Sequence, residues 1–165
     1  YNAILELTGP EGIRQVAIWE FYTGPGKTVR RHEEVMTAIR IRRRDYEGYS
    51  GCYIKYGNRN AMEIATLGCA CLVKLSRDKK VVEDMRIAYG VAAPTPVRCP
   101  ETEKSVSGQA VSKALLLQTG KGVLNEVNPR TSWRASKEFR LQLVEELAKR
   151  AMAQAIRNGG GEVDA

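Results

Sequence analysis

Histidine and paired cysteines are scarce in this chain, and their scarcity excludes most metal chemistry. There is one histidine, His32, and the four cysteines, Cys52, Cys69, Cys71 and Cys99, form no Cys-x-x-Cys pair. Zinc and iron–sulfur centres need close, repeated ligand pairs. Cys69 and Cys71 lie two apart in an apolar run, so on a strand both would face the same way. The thiols read as small buried groups of a protein in a reducing cytoplasm. Aromatic residues are also few, with two Phe and two Trp, which leaves little for stacking on single-stranded nucleic acid. No run of about 18 apolar residues is present to cross a membrane. The opening YNAILELTGPEG lacks the basic start and apolar core of a signal peptide. It reads as a strand and a turn entered in mid-fold, so the chain is expected to be a fragment of something longer.

Acidic residues are outnumbered, 19 against 26 Lys and Arg, which gives a formal net charge of +7. Such a surplus attracts nucleic acid, acidic lipid or phosphate-bearing ligands. The plain alternative is a solvated surface, or a fragment whose missing half is acidic. Arg42-Arg43-Arg44 could touch a nucleic-acid backbone or form a solvated loop between domains. A hydrophobic content of 43% in 165 residues is enough for a packed core.

Periodicity divides the chain. Ala3–Leu7 and Ile13–Trp19 alternate apolar and polar residues around Gly9-Pro10-Glu11-Gly12, which predicts a β-hairpin. Phe21–Lys27 reads as a loop and Val35–Ile41 as a third strand, with Arg42 to Asp45 marking a candidate boundary. Tyr49–Lys55, Thr66–Leu75 and Lys80–Gly90 read as three successive strands of an antiparallel meander. Pro94, Pro96 and Pro100 then stop sheet pairing. Helical segments are predicted over Glu101–Val106 and Gln109–Gln118, the second interrupted by Gly120-Lys121-Gly122. The last helix is the clearest element. Ser136 serves as its N-cap, Phe139, Leu143, Leu147, Ala151 and Ala155 recur every four residues, and Gly159 to Gly161 follow its end.

Few residues suggest chemistry. Thr23-Gly24-Pro25-Gly26-Lys27-Thr28 fails as a phosphate loop, because Phe21 stands where the first glycine is required and Pro25 lacks an amide. His32 sits among charged residues with no nucleophile in view, and reads as a surface histidine. The stretch Gly51 to Ala65, GCYIKYGNRNAMEIA, is more informative. An apolar strand ends in Lys55, a polar loop from Tyr56 to Asn60 follows, and Glu63 stands beside apolar neighbours. Such a strand end can hold a flat anionic ligand at a sheet edge. A strand-end lysine can equally reach past apolar surface into water.

Five segments, in order, resemble the C-terminal part of the FAD-binding subunit of molybdenum-containing hydroxylases, a family that includes xanthine dehydrogenase, aldehyde oxidase and the carbon monoxide dehydrogenase medium subunit. They are GIRQVAIWEFYTGPGKT (Gly12 to Thr28), EEVMTAIRI (Glu33 to Ile41), YIKYGNRNAMEIA (Tyr53 to Ala65), RIAYGVAAPTPVR (Arg86 to Arg98) and SKEFRLQLVEELAKRA (Ser136 to Ala151). Within the family, the chain is most similar to the bacterial xanthine dehydrogenases. The resemblance implies an α+β fold. Residues 1–45 would be the tail of an FAD-binding domain. Residues 46–165 would form an antiparallel three- to four-stranded sheet packed against about three helices.

It also implies which residues meet the cofactor. Val35 and Met36 match an apolar pair lining FAD, and Lys55 matches a lysine at the flavin ring. Arg59 matches the family's arginine. Glu63 stands where the family usually has aspartate, one carbon shorter. The loop from Tyr56 to Ile64 would flank the path of NAD to the flavin. The glycine-rich loops that hold the FAD pyrophosphate have no counterpart here, so the chain would supply one wall of the pocket and would bind FAD poorly by itself. The implied enzyme oxidises a purine at a molybdopterin in one partner subunit and passes electrons through [2Fe–2S] clusters in another. Two other readings are a basic α+β module that binds nucleic acid, and an assembly subdomain without flavin contact.

Overall fold

The computed structural model describes residues 1–59 and 61–163, so Asn60, at the end of the predicted polar loop, lies outside the described residues. The chain divides into two compact units, Tyr1–Glu47 and Gly48–Ala165.

In the first unit β1 (Ile4–Gly9) pairs antiparallel with β2 (Gly12–Ala17) through the predicted hairpin turn, where Gly12 takes a φ of 109°. A short helix α1 (Ile18–Phe21) follows β2, so the second strand stops at Ala17 and not at Trp19. The segment expected as a loop is a small hairpin of β3 (Tyr22–Gly24) and β4 (Lys27–Thr28). Strand β5 (Val35–Arg40) returns to the free side of β1, giving the order β2-β1-β5. Leu5, Leu7, Val16 and Phe21 form the buried centre, with Ile18, Val29 and Met36 packed against it.

The second unit carries the predicted meander: β6 (Tyr49–Tyr56), β7 (Leu67–Leu75) and β8 (Val81–Gly90). Two further strands of two residues each, β9 (Val97–Arg98) and β10 (Gln109–Ala110), pair with the outer side of β8 and widen the sheet to five strands. Elements so short have no periodicity to read. Between them lies helix α2 (Pro100–Val106), which starts on proline as first helical turns tolerate.

Glu103 of α2 fills the gap in that flank. Its carboxylate accepts the Ile87 main-chain amide at 2.9 Å and a forked pair of bonds from Arg98 at 2.7 and 2.5 Å. A buried edge-strand amide is thereby satisfied by a side chain.

Helix α3 (Lys113–Gly122) begins at Ser112, whose hydroxyl accepts the Leu115 amide, and runs through the glycines expected to interrupt it. The reason is tertiary. A Cβ at Gly120 would lie 3.0 Å from the Glu145 carbonyl oxygen, and one at Gly122 would lie 2.8 Å from the Thr102 hydroxyl. The glycines therefore permit close approach of neighbouring helices, which outweighs their poor helix propensity.

Helix α4 (Lys137–Asn158) opens on the predicted Ser136 cap and covers the inner face of β6 and β7. Leu143, Val144, Leu147, Ala148, Ala151, Met152, Ala155 and Ile156 meet Leu67, Cys69, Cys71, Val73, Met85 and Ile87 in one core. Phe139 departs from the predicted stripe and is partly exposed. Cys69, Cys71 and Cys99 are buried, while Cys52 is half-exposed and corrects the expectation of four buried thiols.

Candidate functional site

The outer face of the second unit's sheet presents Lys55. Alternation along β6 turns Cys52 and Ile54 toward α4 and leaves Tyr53 and Lys55 on the other side, both exposed. Lys55 lies opposite Gly68 of β7. A side chain at Gly68 would strike Tyr53, whose hydroxyl is 2.8 Å and ring atoms about 3.4 Å from the position of a Cβ. Glycine there lets the aromatic ring lie against the strand.

The loop after β6 is closed by its own polar groups. Thr66 N–H donates to the Tyr56 carbonyl at 2.9 Å and forms the neck. Lys55 Nζ donates to the Glu63 carbonyl at 2.6 Å. The Glu63 carboxylate accepts the Arg59 main-chain amide at 2.6 Å, and the Arg59 guanidinium donates to the Met62 carbonyl at 2.8 Å. A Cβ at Gly57 would sit 2.5 Å from a Glu63 carboxylate oxygen, so a side chain there would push that carboxylate aside. Met62 takes a φ of 52°, an uncommon conformation for a residue with a side chain. Met62 and Ile64 are 92% and 66% exposed. Lys55, Arg59 and Glu63 are thus brought together, with cationic groups beside uncovered apolar surface.

Val35 and Met36 belong to the first unit and point to opposite faces of β5. Met36 packs against the core, whereas Val35 is 65% exposed and aligns across Thr8 with the exposed Ile13. Just before Val35, the buried carboxylate of Glu34 accepts Arg14 Nε at 2.5 Å, Arg14 Nη2 at 2.9 Å and the Arg31 amide at 2.6 Å. The Arg14 fork, with the Arg31 amide and nearby positive charge, outweighs burial and holds the Glu34 pKa down at about 2. Arg14 and Glu34 were not among the residues singled out from the sequence, although both stand inside the segments that carry the resemblance. His32 is exposed, as expected. The arginine run is partly neutralised, with Arg42 paired to Asp45 at 2.9 Å and Arg43 to Glu47 at 2.6 Å.

Among the described residues no group of three or more His, Cys, Asp or Glu could hold a metal ion. Burial pushes the Cys69 and Cys99 thiols up to about 12, which makes them inert structural groups. No helix among the described residues is long and apolar enough to cross a membrane.

Residues 52–155 match the CO dehydrogenase flavoprotein C-terminal domain. The chain belongs to that family. It is 39% identical over 99% of its length to the xanthine dehydrogenase FAD-binding subunit of Escherichia coli O157:H7, of which it covers 55%. It is 30% identical over 93% of its length to the glyceraldehyde dehydrogenase medium chain of Sulfolobus acidocaldarius, of which it covers 53%. Among solved structures, a carbon monoxide dehydrogenase from Hydrogenophaga pseudoflava aligns with 95% of this chain and 53% of its own at a TM-score of 0.85 and 26% identity. Quinoline 2-oxidoreductase from Pseudomonas putida 86 shares the fold, with a TM-score of 0.86 at 17% identity. The chain spans about half the length of the curated relatives it matches.

Among the described residues, the groups around the Lys55 loop fit a flavin in their chemistry. Lys55 and Arg59 offer positive charge, and Tyr53, Met62 and Ile64 offer uncovered apolar surface. The closely spaced glycines lie elsewhere. Gly24 and Gly26 sit in the β3–β4 hairpin, and Gly159 to Gly161 follow the C-terminus of α4. Neither group opens a helix, the arrangement that cradles a pyrophosphate.

Proposed function

We propose that this chain is part of the FAD-binding subunit of a xanthine dehydrogenase-type molybdenum hydroxylase, and that it forms one side of the flavin pocket. The observation that carries this reading is Lys55 at the end of β6, its ammonium 2.6 Å from the Glu63 carbonyl beside exposed apolar side chains. The similarity to xanthine dehydrogenase FAD-binding subunits supports it over nearly the whole chain.

Residues 1–45 are assigned to the tail of the FAD-binding domain and 46–165 to the C-terminal domain. Val35 is assigned to the cofactor side by its exposed side chain, Met36 backs the same strand from the core, and Lys55, Arg59 and Glu63 form the loop side. Bound FAD would supply the redox chemistry, between [2Fe–2S] clusters of one partner subunit and NAD as acceptor. The oxidised substrate is a purine, bound at the molybdopterin of another partner subunit. Lys55 would hold positive charge beside the ring, and a cation there would favour the reduced form and raise its potential. Glu63 acts through the loop, since its carboxylate holds the Arg59 amide. The buried thiols suit a reducing compartment, and the subunit is assigned to the cytoplasm.

The test is the visible spectrum of the full-length subunit purified with its partners. Flavin absorbance at one equivalent per subunit is expected, with bleaching by xanthine and recovery with NAD. A colourless subunit, or one that xanthine does not reduce, overturns the reading.

A further inference from the structure

Arg140 is the largest fully buried side chain among the described residues, 2% exposed. Its guanidinium donates to three neutral oxygens: the Thr66 carbonyl at 3.3 Å, the Ser132 hydroxyl at 2.8 Å and the Arg130 carbonyl. Among the described residues it forms no ion pair. A cation buried against neutral acceptors is costly unless its donors are well used. Here each acceptor belongs to a segment that lacks regular structure. Thr66 closes the neck of the Lys55 loop, Ser132 pairs with Ala135 in the turn that displays Trp133, and Arg130 lies just before that turn.

Phe139, the residue before it, reaches the other side of the same neck. Its ring meets Tyr56 edge-on with centroids 6.0 Å apart. Tyr56 follows Lys55 and bonds to Thr66. The first turn of α4, itself fixed by the Ser136 cap, therefore grips both strands at the point where the loop begins and ends.

We infer that Phe139 and Arg140 are positioning residues: they clamp the Tyr56–Thr66 neck and so set where the loop presents the Lys55 ammonium to the flavin. This rests on the flavin reading above. Phe139 meets Tyr56 and Arg140 bonds to Thr66, both at the neck and apart from Lys55 and Arg59. They limit how far Lys55 and Arg59 can stray.

The test uses the full-length subunit in its assembled enzyme, with Arg140→Lys, Phe139→Leu, Lys55→Ala and the Lys55→Ala/Phe139→Leu double variant. Arg140→Lys keeps the charge but has one nitrogen where the guanidinium uses three. Phe139→Leu removes a partly exposed ring and is the variant least able to unfold the domain. Two readouts are taken, amide hydrogen exchange over residues 57–66 and the flavin midpoint potential.

Exchange in the loop is expected to quicken at least tenfold, with the β7 and β8 amides unchanged. The potential is expected to fall in the same direction as in Lys55→Ala, and the double variant to shift no further than Lys55→Ala alone. Unchanged loop exchange and potential in Phe139→Leu overturn the clamp, whatever Arg140→Lys does. A shift that adds fully to that of Lys55→Ala overturns its action through Lys55. If Lys55→Ala itself leaves the potential unmoved, the flavin reading fails, and the exchange data still decide whether the neck is clamped.

Discussion

Lys55 bonds to the main-chain carbonyl of Glu63, and not to its carboxylate. The acid is occupied instead by the Arg59 amide. The ammonium therefore forms no ion pair among the described residues, and the carboxylate shapes the loop without engaging the cation.

Replacing Lys55 by Ala should consequently separate function from stability. An exposed side chain away from the core contributes within about 0.5 kcal/mol to folding. Loss of a charge aimed at a developing negative centre typically costs more than tenfold in rate. Rapid-mixing measurement of flavin-to-NAD electron transfer, alongside thermal unfolding of the same preparation, checks both halves.

Glu63→Gln should loosen the loop with little effect on the sheet. The neutral amide oxygen still accepts from Arg59 N–H, but a charge-assisted bond is about twice as strong as a neutral one. Tryptic cleavage after Arg59 should become several-fold faster, while cleavage within β7 and β8 stays unobserved. Equal cleavage rates in variant and parent would show that the carboxylate does not order the loop.

Glu103→Ala should destabilise the second unit by about 2–3 kcal/mol, since it strips the Ile87 amide of its acceptor and Arg98 of its forked carboxylate. Glu103→Gln, which keeps an acceptor, should cost less. Urea unfolding of both variants gives the comparison.

The first unit should weaken in acid. Glu34 has a folded-state pKa of about 2 against an ordinary 4.5. A lowered carboxylate pKa contributes stability that is present above about 4.5 and is lost progressively as pH falls toward 2. Glu34→Gln should be less stable at neutral pH and should flatten that part of the acid decline. Glu6, also lowered by its bond from Arg40, keeps a smaller share of the same slope. Unfolding midpoints between pH 7 and about pH 2 follow both effects.

Much of this was legible from the sequence where burial is one-sided. Strands β7 and β8 and helix α4 each bury one face, so their periods of two and about four survive in the residue pattern. The end of α3 was not, because Gly120 and Gly122 break helices by propensity and are retained here for contacts with Glu145 and Thr102, which no local window contains. Lys55 stood out as a strand-end cation. Arg140 was visible as a letter in a helix motif, but its role depends on Thr66, 74 residues away. Val35 and Met36 were read as a pair, and pleating sends them to opposite faces.

The two-residue strands engage the outer side of β8 at both ends, and the Glu103 carboxylate takes the Ile87 amide beside β9. A visiting strand finds no long uninterrupted ladder to join on that flank. Within this sheet, recruitment of another chain by edge-to-edge pairing, whether for orderly assembly or for misfolded aggregation, is thereby directed to the opposite margin, along β6, where the Asn158 side chain already occupies the Gly51 carbonyl.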